Sequence, residues 1–116
     1  MVDTATVVVT LLLAALFVFS SSIKLLGVPK SLEIRDHLSV SPVGWRIIGG
    51  LELAGVVGAL AGLLWPPIGI AAAIGLALLS IGAVAFHLRA SDRVAEMLPA
   101  VIGIALGAAT AVLHTL

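Results

Sequence analysis

The stretch LAGVVGALAGLLWPPIGIAAAIGLALLSIGAVAFHL, residues 53–88, decides the fold: it runs for 36 residues without a Lys, Arg, Asp or Glu. A helix crossing the hydrocarbon core of a bilayer needs about 20 apolar residues. The run is therefore too long for one crossing and slightly short for two. Trp65-Pro66-Pro67 divides it. Tandem prolines lack amide donors and clash with the preceding helical turn, and Trp favours the membrane interface. The tripeptide reads as a tight turn at one surface. Counting forward gives a helix over 68–88. Counting back about 20 residues starts a helix near Arg46, and that helix must carry Glu52 within the membrane.

Outward from this stretch, Thr4 to Ile23 and Met97 to Leu116 are two further runs without charge. Pro99 falls in the first turn of the last run, where a missing donor costs little. The expectation is an all-α, polytopic membrane protein: one transmembrane domain, 1–116, built as a four-helix bundle. The predicted helices are 4–25, 46–64, 68–88 and 97–116. Two longer connections, 26–45 and 89–96, lie on one side; the tight turn and both termini lie on the other. The first connection interleaves aliphatic and charged residues without a clean period, and reads equally as a short interfacial helix or a solvated loop.

Composition agrees. Of 116 residues, 61% are hydrophobic and 10% charged, against roughly 25% charged in soluble domains, and mean hydropathy is +1.29. Twelve charges cannot cover a soluble monomer. Six basic and six acidic residues cancel, which excludes a nucleic-acid binder. With no cysteine, disulfide scaffolds, thiolate metal sites and dithiol redox chemistry are excluded. All six basic residues (Lys24, Lys30, Arg35, Arg46, Arg89, Arg93) fall on the side of the longer connections. The positive-inside rule turns that side toward the cytoplasm and both termini outward, in the cell membrane. Asp3 as the sole early charge and the poor cleavage signal Ser20-Ser21-Ser22 argue against a cleaved signal peptide.

Between lipid tails, helices associate through small residues and polar contacts. Gly50, Ala54, Gly58 and Gly62 recur at four-residue spacing, as do Gly103 and Gly107. These stripes suit packing inside one bundle or, alternatively, a dimer face. The polar residues that could carry chemistry are Lys24, Glu52 and His87, with Arg46 and Arg89 in support. By helical rise, Lys24 and His87 lie about 28–30 Å from the outer surface and Glu52 about 20 Å from it. Side chains lean toward the N-terminus of their own helix, so Lys24 and His87 lean into the membrane and Glu52 leans toward them. An ionised Glu at that depth requires a partner, which Lys24 can supply. The cluster reads either as a ligand site or as an ion pair that fixes helix register. Arg46 points about 120° away from Glu52 and is expected to anchor the helix start with Trp45. Arg89–Asp92 and Arg93–Glu96 have the spacing of self-paired surface charges. His37, His87 and His114 lie at three different depths, which disfavours bis-histidine haem. No second clustered ligand supports a metal site.

Ser22-Ile-Lys24-Leu, Gly49-Gly-Leu-Glu52-Leu-Ala-Gly55 and Gly82-Ala-Val-Ala-Phe-His87-Leu-Arg89, in this order, resemble the helix-one Lys, helix-two Glu and helix-three His-x-Arg positions of the DoxX-like family of small four-helix membrane proteins. The resemblance implies an inner-membrane protein acting as an accessory or assembly subunit of a membrane redox or oxidative-stress complex. Its partners would then be the lipid bilayer and other membrane or redox proteins, or further copies of the chain. The polar cluster itself suggests an alternative, a membrane oxidoreductase binding a quinone or small lipophile. A small multidrug-type transporter shares the four-helix plan. That class keeps its acid in an aromatic-lined first helix, whereas the acid here is in the second and aromatics are 4%.

Overall fold

The computed structural model describes residues 2–116, which form five helices: α1 (Thr4–Leu25), α2 (Pro29–His37), α3 (Pro42–Ala61), α4 (Pro66–Arg89) and α5 (Val94–Thr115). There is no strand among the described residues. α1, α3, α4 and α5 are long and apolar enough to cross a membrane. α3 is the least apolar of the four, with a mean hydropathy of 1.4, because it carries Arg46 and Glu52.

Local chemistry sets the helix ends. The Asp3 carboxylate accepts from the Thr6 amide at 2.9 Å and caps α1. Ser41 Oγ accepts from the Gly44 amide at 2.9 Å and caps α3, with Pro42 beside it in the first turn. α3 therefore begins four residues before the expected Arg46 and ends earlier, at Ala61. The expected proline turn is displaced as well. Pro66 and Pro67 are the opening residues of α4, where amides have no intrahelical acceptor and proline is tolerated. The chain reverses instead over residues 62–65. α5 begins at Val94 rather than Met97, so Pro99 lies inside the helix. It deprives the Ala95 carbonyl of its helical donor. Gly27 follows α1 with φ 66°, the left-handed conformation that ends helices and suits glycine.

α1 packs on α3 and α5, and α4 packs on α3 and α5, so the four long helices close into a ring. The molecule is 43 Å along its longest axis, close to the roughly 40–45 Å of a bilayer with headgroups. The connections bearing α2 and Ser91-Asp92 share one end, here the α2 end. The 62–65 turn and both termini share the other, here the turn end. Leu13, Phe17, Val56, Ala59, Ala73 and Leu76 form the core between them.

Small residues set the helix spacing, though not along the stripe that the spacing suggests. Four residues advance a helix by about 400°, so a four-residue repeat drifts about 120° from Gly50 to Gly62. Gly50 and Ala54 consequently lie exposed on the outer face of α3, and a Cβ at Gly50 would meet nothing within 4 Å. Gly58 and Gly62 face α4: a Cβ at Gly58 would sit 2.8 Å from the Ala72 Cβ, and one at Gly62 would collide with the Gly69 Cα. Gly55, which the repeat omits, abuts Leu76. Gly103 and Gly107, only one repeat apart, both face α4, against Ser80 and the Ala73 carbonyl.

Candidate functional site

The last turn of α1 and the middle of α3 face each other, and this brings Lys24 to Glu52. Lys24 Nζ lies 3.0 Å from Glu52 Oε1, with the two side chains 11% and 6% exposed. Ser20, one turn before Lys24, completes the group. It accepts from Nζ at 2.6 Å and donates to Glu52 Oε2 at 2.8 Å. The ammonium also lies over the Trp45 ring, 4.8 Å from its centroid. One of its three donors is directed at oxygen, that of Ser20. Although close to Nζ, Glu52 Oε1 has no hydrogen-bond donor aimed at it. The contact to that oxygen is ionic, and the oxygen is covered by its neighbours. The group thus holds a covered carboxylate oxygen beside an ammonium that has donor capacity to spare.

Lys24 and Glu52 line a cavity of about 810 Å³ inside the α2 end of the ring, within the roughly 300–1,000 Å³ typical of small-molecule sites. Its walls are mostly aliphatic and aromatic, among them Leu16, Phe17, Ile48, Leu79 and Phe86. α2 lies across its mouth. The Trp45 indole N–H donates to the buried Ser31 Oγ at 2.9 Å, and Arg89 donates to the Leu38 carbonyl at 3.1 Å. A second polar group stands at this mouth. Asp92 joins two imidazoles, with His87 Nδ1 2.6 Å from Oδ2 and His37 Nε2 2.5 Å from Oδ1. The hydrogen bond to His87, then that to His37, holds the Asp92 carboxyl below its ordinary 3.8 against the opposing effect of burial.

Of the expected cluster, Lys24 and Glu52 form the ion pair, whereas His87 lines the same cavity but is bonded to Asp92. Arg46 is exposed on the first turns of α3, outside the cavity. Arg89 is not paired with Asp92; its guanidinium lies over Phe86, 4.7 Å from the ring centroid. Arg93 and Glu96 do pair, at 3.5 Å. Among the described residues no group of three His, Cys, Asp or Glu side chains is arranged so that it could hold a metal ion.

A family model described as the DoxX-like family matches residues 8–110. The chain belongs to the DoxX-like family. Comparison with curated proteins and with solved structures returns no match. In this DoxX-like chain the three stretches around Lys24, Glu52 and His87 come from α1, α3 and α4 to line one cavity. Four further residues stand in the site beyond those expected from the sequence: Ser20, Ser31, His37 and Asp92. Ser20 had a usable signal, since it stands one helical turn before Lys24 and so shares its face.

Proposed function

We propose that this DoxX-like chain is a multi-pass protein of the cell membrane that holds a small lipophile of quinone class at its α2 end, with the longer connections facing the cytoplasm. The observation carrying this reading is the buried Lys24–Glu52 pair, with donor capacity to spare on Lys24, on the wall of an apolar cavity. An ionised pair in this position costs several kcal/mol of desolvation per ion. A packing role alone would be served as well by apolar residues. A head bearing a carbonyl or hydroxyl would accept from Lys24 Nζ, while its ring lies against Phe86, Trp45 and the aliphatic walls. Orientation in the membrane follows from the gathering of all six basic residues at the α2 end.

Trp45 lines the cavity, whereas Trp65 stands exposed at the turn end. In Trp65→Phe protein reconstituted in nanodiscs, a short-chain benzoquinone should quench Trp45 fluorescence saturably. The double variant Lys24→Met/Glu52→Gln should lose the saturable component. Quenching that rises linearly and equally in both proteins would overturn the reading.

A second reading, an accessory or assembly subunit of a membrane redox or oxidative-stress complex, is favoured by exposed Gly50 and Ala54 on α3. Small residues on an outer face let a helix of another subunit approach closely. Affinity purification in a mild detergent tests it, and recovery of this chain alone would count against it.

A further inference from the structure

Two hollows in the molecule share a wall. Leu78 and Leu79 line the cavity at the α2 end, and they also line a shallower groove of about 620 Å³ on the outer face of the bundle, between α3 and α4. Every residue lining that groove is Gly, Ala, Ile or Leu. Along its floor the helices touch, at Gly58 against Ala72 and Gly55 against Leu76. Its flank is open, because a Cβ at Gly75 would meet nothing within 4 Å. From Leu79 to Ile68 the groove follows α4 for about 16 Å. Leu78, at the junction of the two hollows, is 62% exposed. The polar groups are thus confined to the inner hollow, while the outer one offers only hydrocarbon and faces lipid.

We propose that the ligand has two parts: a polar head beside Lys24 and Glu52, and an extended apolar chain that leaves the cavity past Leu78 and Leu79 and lies in the α3–α4 groove. The ligand then reaches its site sideways from the bilayer rather than through the mouth under α2. This inference rests on the lipophile reading above. A chain passing from lipid into the groove gains no hydrophobic energy. The groove therefore acts through shape, and its small residues keep the path open.

The test uses the full chain in nanodiscs and a benzoquinone whose decyl chain carries a diazirine near its far end. After irradiation, cross-links should map to 68–79 of α4 and 51–58 of α3. Excess short-chain benzoquinone, at about ten times its Kd, should reduce them about tenfold by mass action. Gly75→Phe puts a ring on the groove's open flank, where a Cβ meets nothing within 4 Å. It should abolish the competed cross-links while Trp45 quenching by the short-chain benzoquinone persists. Cross-links confined to the cavity walls would overturn the inference. So would labelling that ignores the competitor or is indifferent to Gly75→Phe. Protection of the groove by a second copy, seen as dimers disulfide-linked through Gly75→Cys, would overturn it too. Intact quenching without competed groove cross-links removes this inference alone; absence of quenching in the parent protein removes the lipophile reading with it.

Discussion

The two ends of this bundle are built from the same four helices and hold them together in opposite ways. At the turn end α3 and α4 meet backbone to backbone, Gly62 against Gly69, with His114 Nε2 packed close to Gly69. At the α2 end α1 and α3 still pack closely, Gly49 against Lys24 and Leu25, but a cavity opens within the ring and polar side chains bridge around it: Lys24, Ser20 and Glu52 across α1 and α3, then His37, Asp92 and His87 across α2 and α4. Close packing leaves no room for a ligand; polar contacts across a gap do. The difference leaves space for the proposed ligand at the α2 end alone of the two.

The sharpest way to break this division is to remove one member of the buried pair. Lys24→Met leaves the Glu52 carboxylate without its counter-charge and should cost about 3–5 kcal/mol. Lys24→Met/Glu52→Gln, which removes both charges, should recover most of that loss. A double-mutant cycle on unfolding in mild detergent reads the coupling. Gly62→Val tests the opposite end. Its Cβ would collide with the Gly69 backbone, and overpacking of this kind costs about 1–3 kcal/mol. Gly50→Val, on the same nominal stripe but facing open space, should stay within about 0.5 kcal/mol of the parent. Equal losses at Gly50 and Gly62 would show that helix spacing is not set by the α3–α4 contact.

The smallest expected effect concerns pH. Asp92 titrates below 3.8 when bonded to His87 and His37, and its depressed value means that the folded state favours the charged form. The stability it contributes is therefore complete above 3.8 and is lost as pH falls through the folded value. Hydrogen exchange of the α2 amides should accelerate at the acid end of a titration below pH 3.8 in the parent protein. In Asp92→Asn that added acid step should be absent. An identical acid profile in the two proteins would detach α2 from the Asp92 bridge.

What the sequence made legible follows from how local the cause is. Charge-free runs of about 20 residues reveal three of the crossings, because insertion depends on each segment alone; α3, which carries Arg46 and Glu52, follows from counting back from Trp65. The Lys24–Glu52 pair is legible from depth and side-chain lean, both properties of single helices. Asp92 was not. Its spacing from Arg89 suits a surface pair, and only the turn at Ser91, with φ 60°, carries it back to His87 and out to His37. α2 has no readable period because it buries a single residue, Ser31, and is held by the Trp45 side chain from another helix. The drift of the four-residue glycine repeat is computable from sequence, but which part of the stripe meets α4 depends on the ring order of the helices.

The central claim is that the α2 end holds a lipophile beside Lys24 and Glu52. The most direct measurement is the anomalous scattering of a brominated benzoquinone in lipid-phase crystals of the protein. The account predicts a bromine peak inside the cavity, between the Lys24 ammonium and the rings of Trp45 and Phe86, that vanishes in Lys24→Met/Glu52→Gln crystals. A peak only on the outer surface of the bundle, or one inside the cavity that survives removal of both charges, would contradict it.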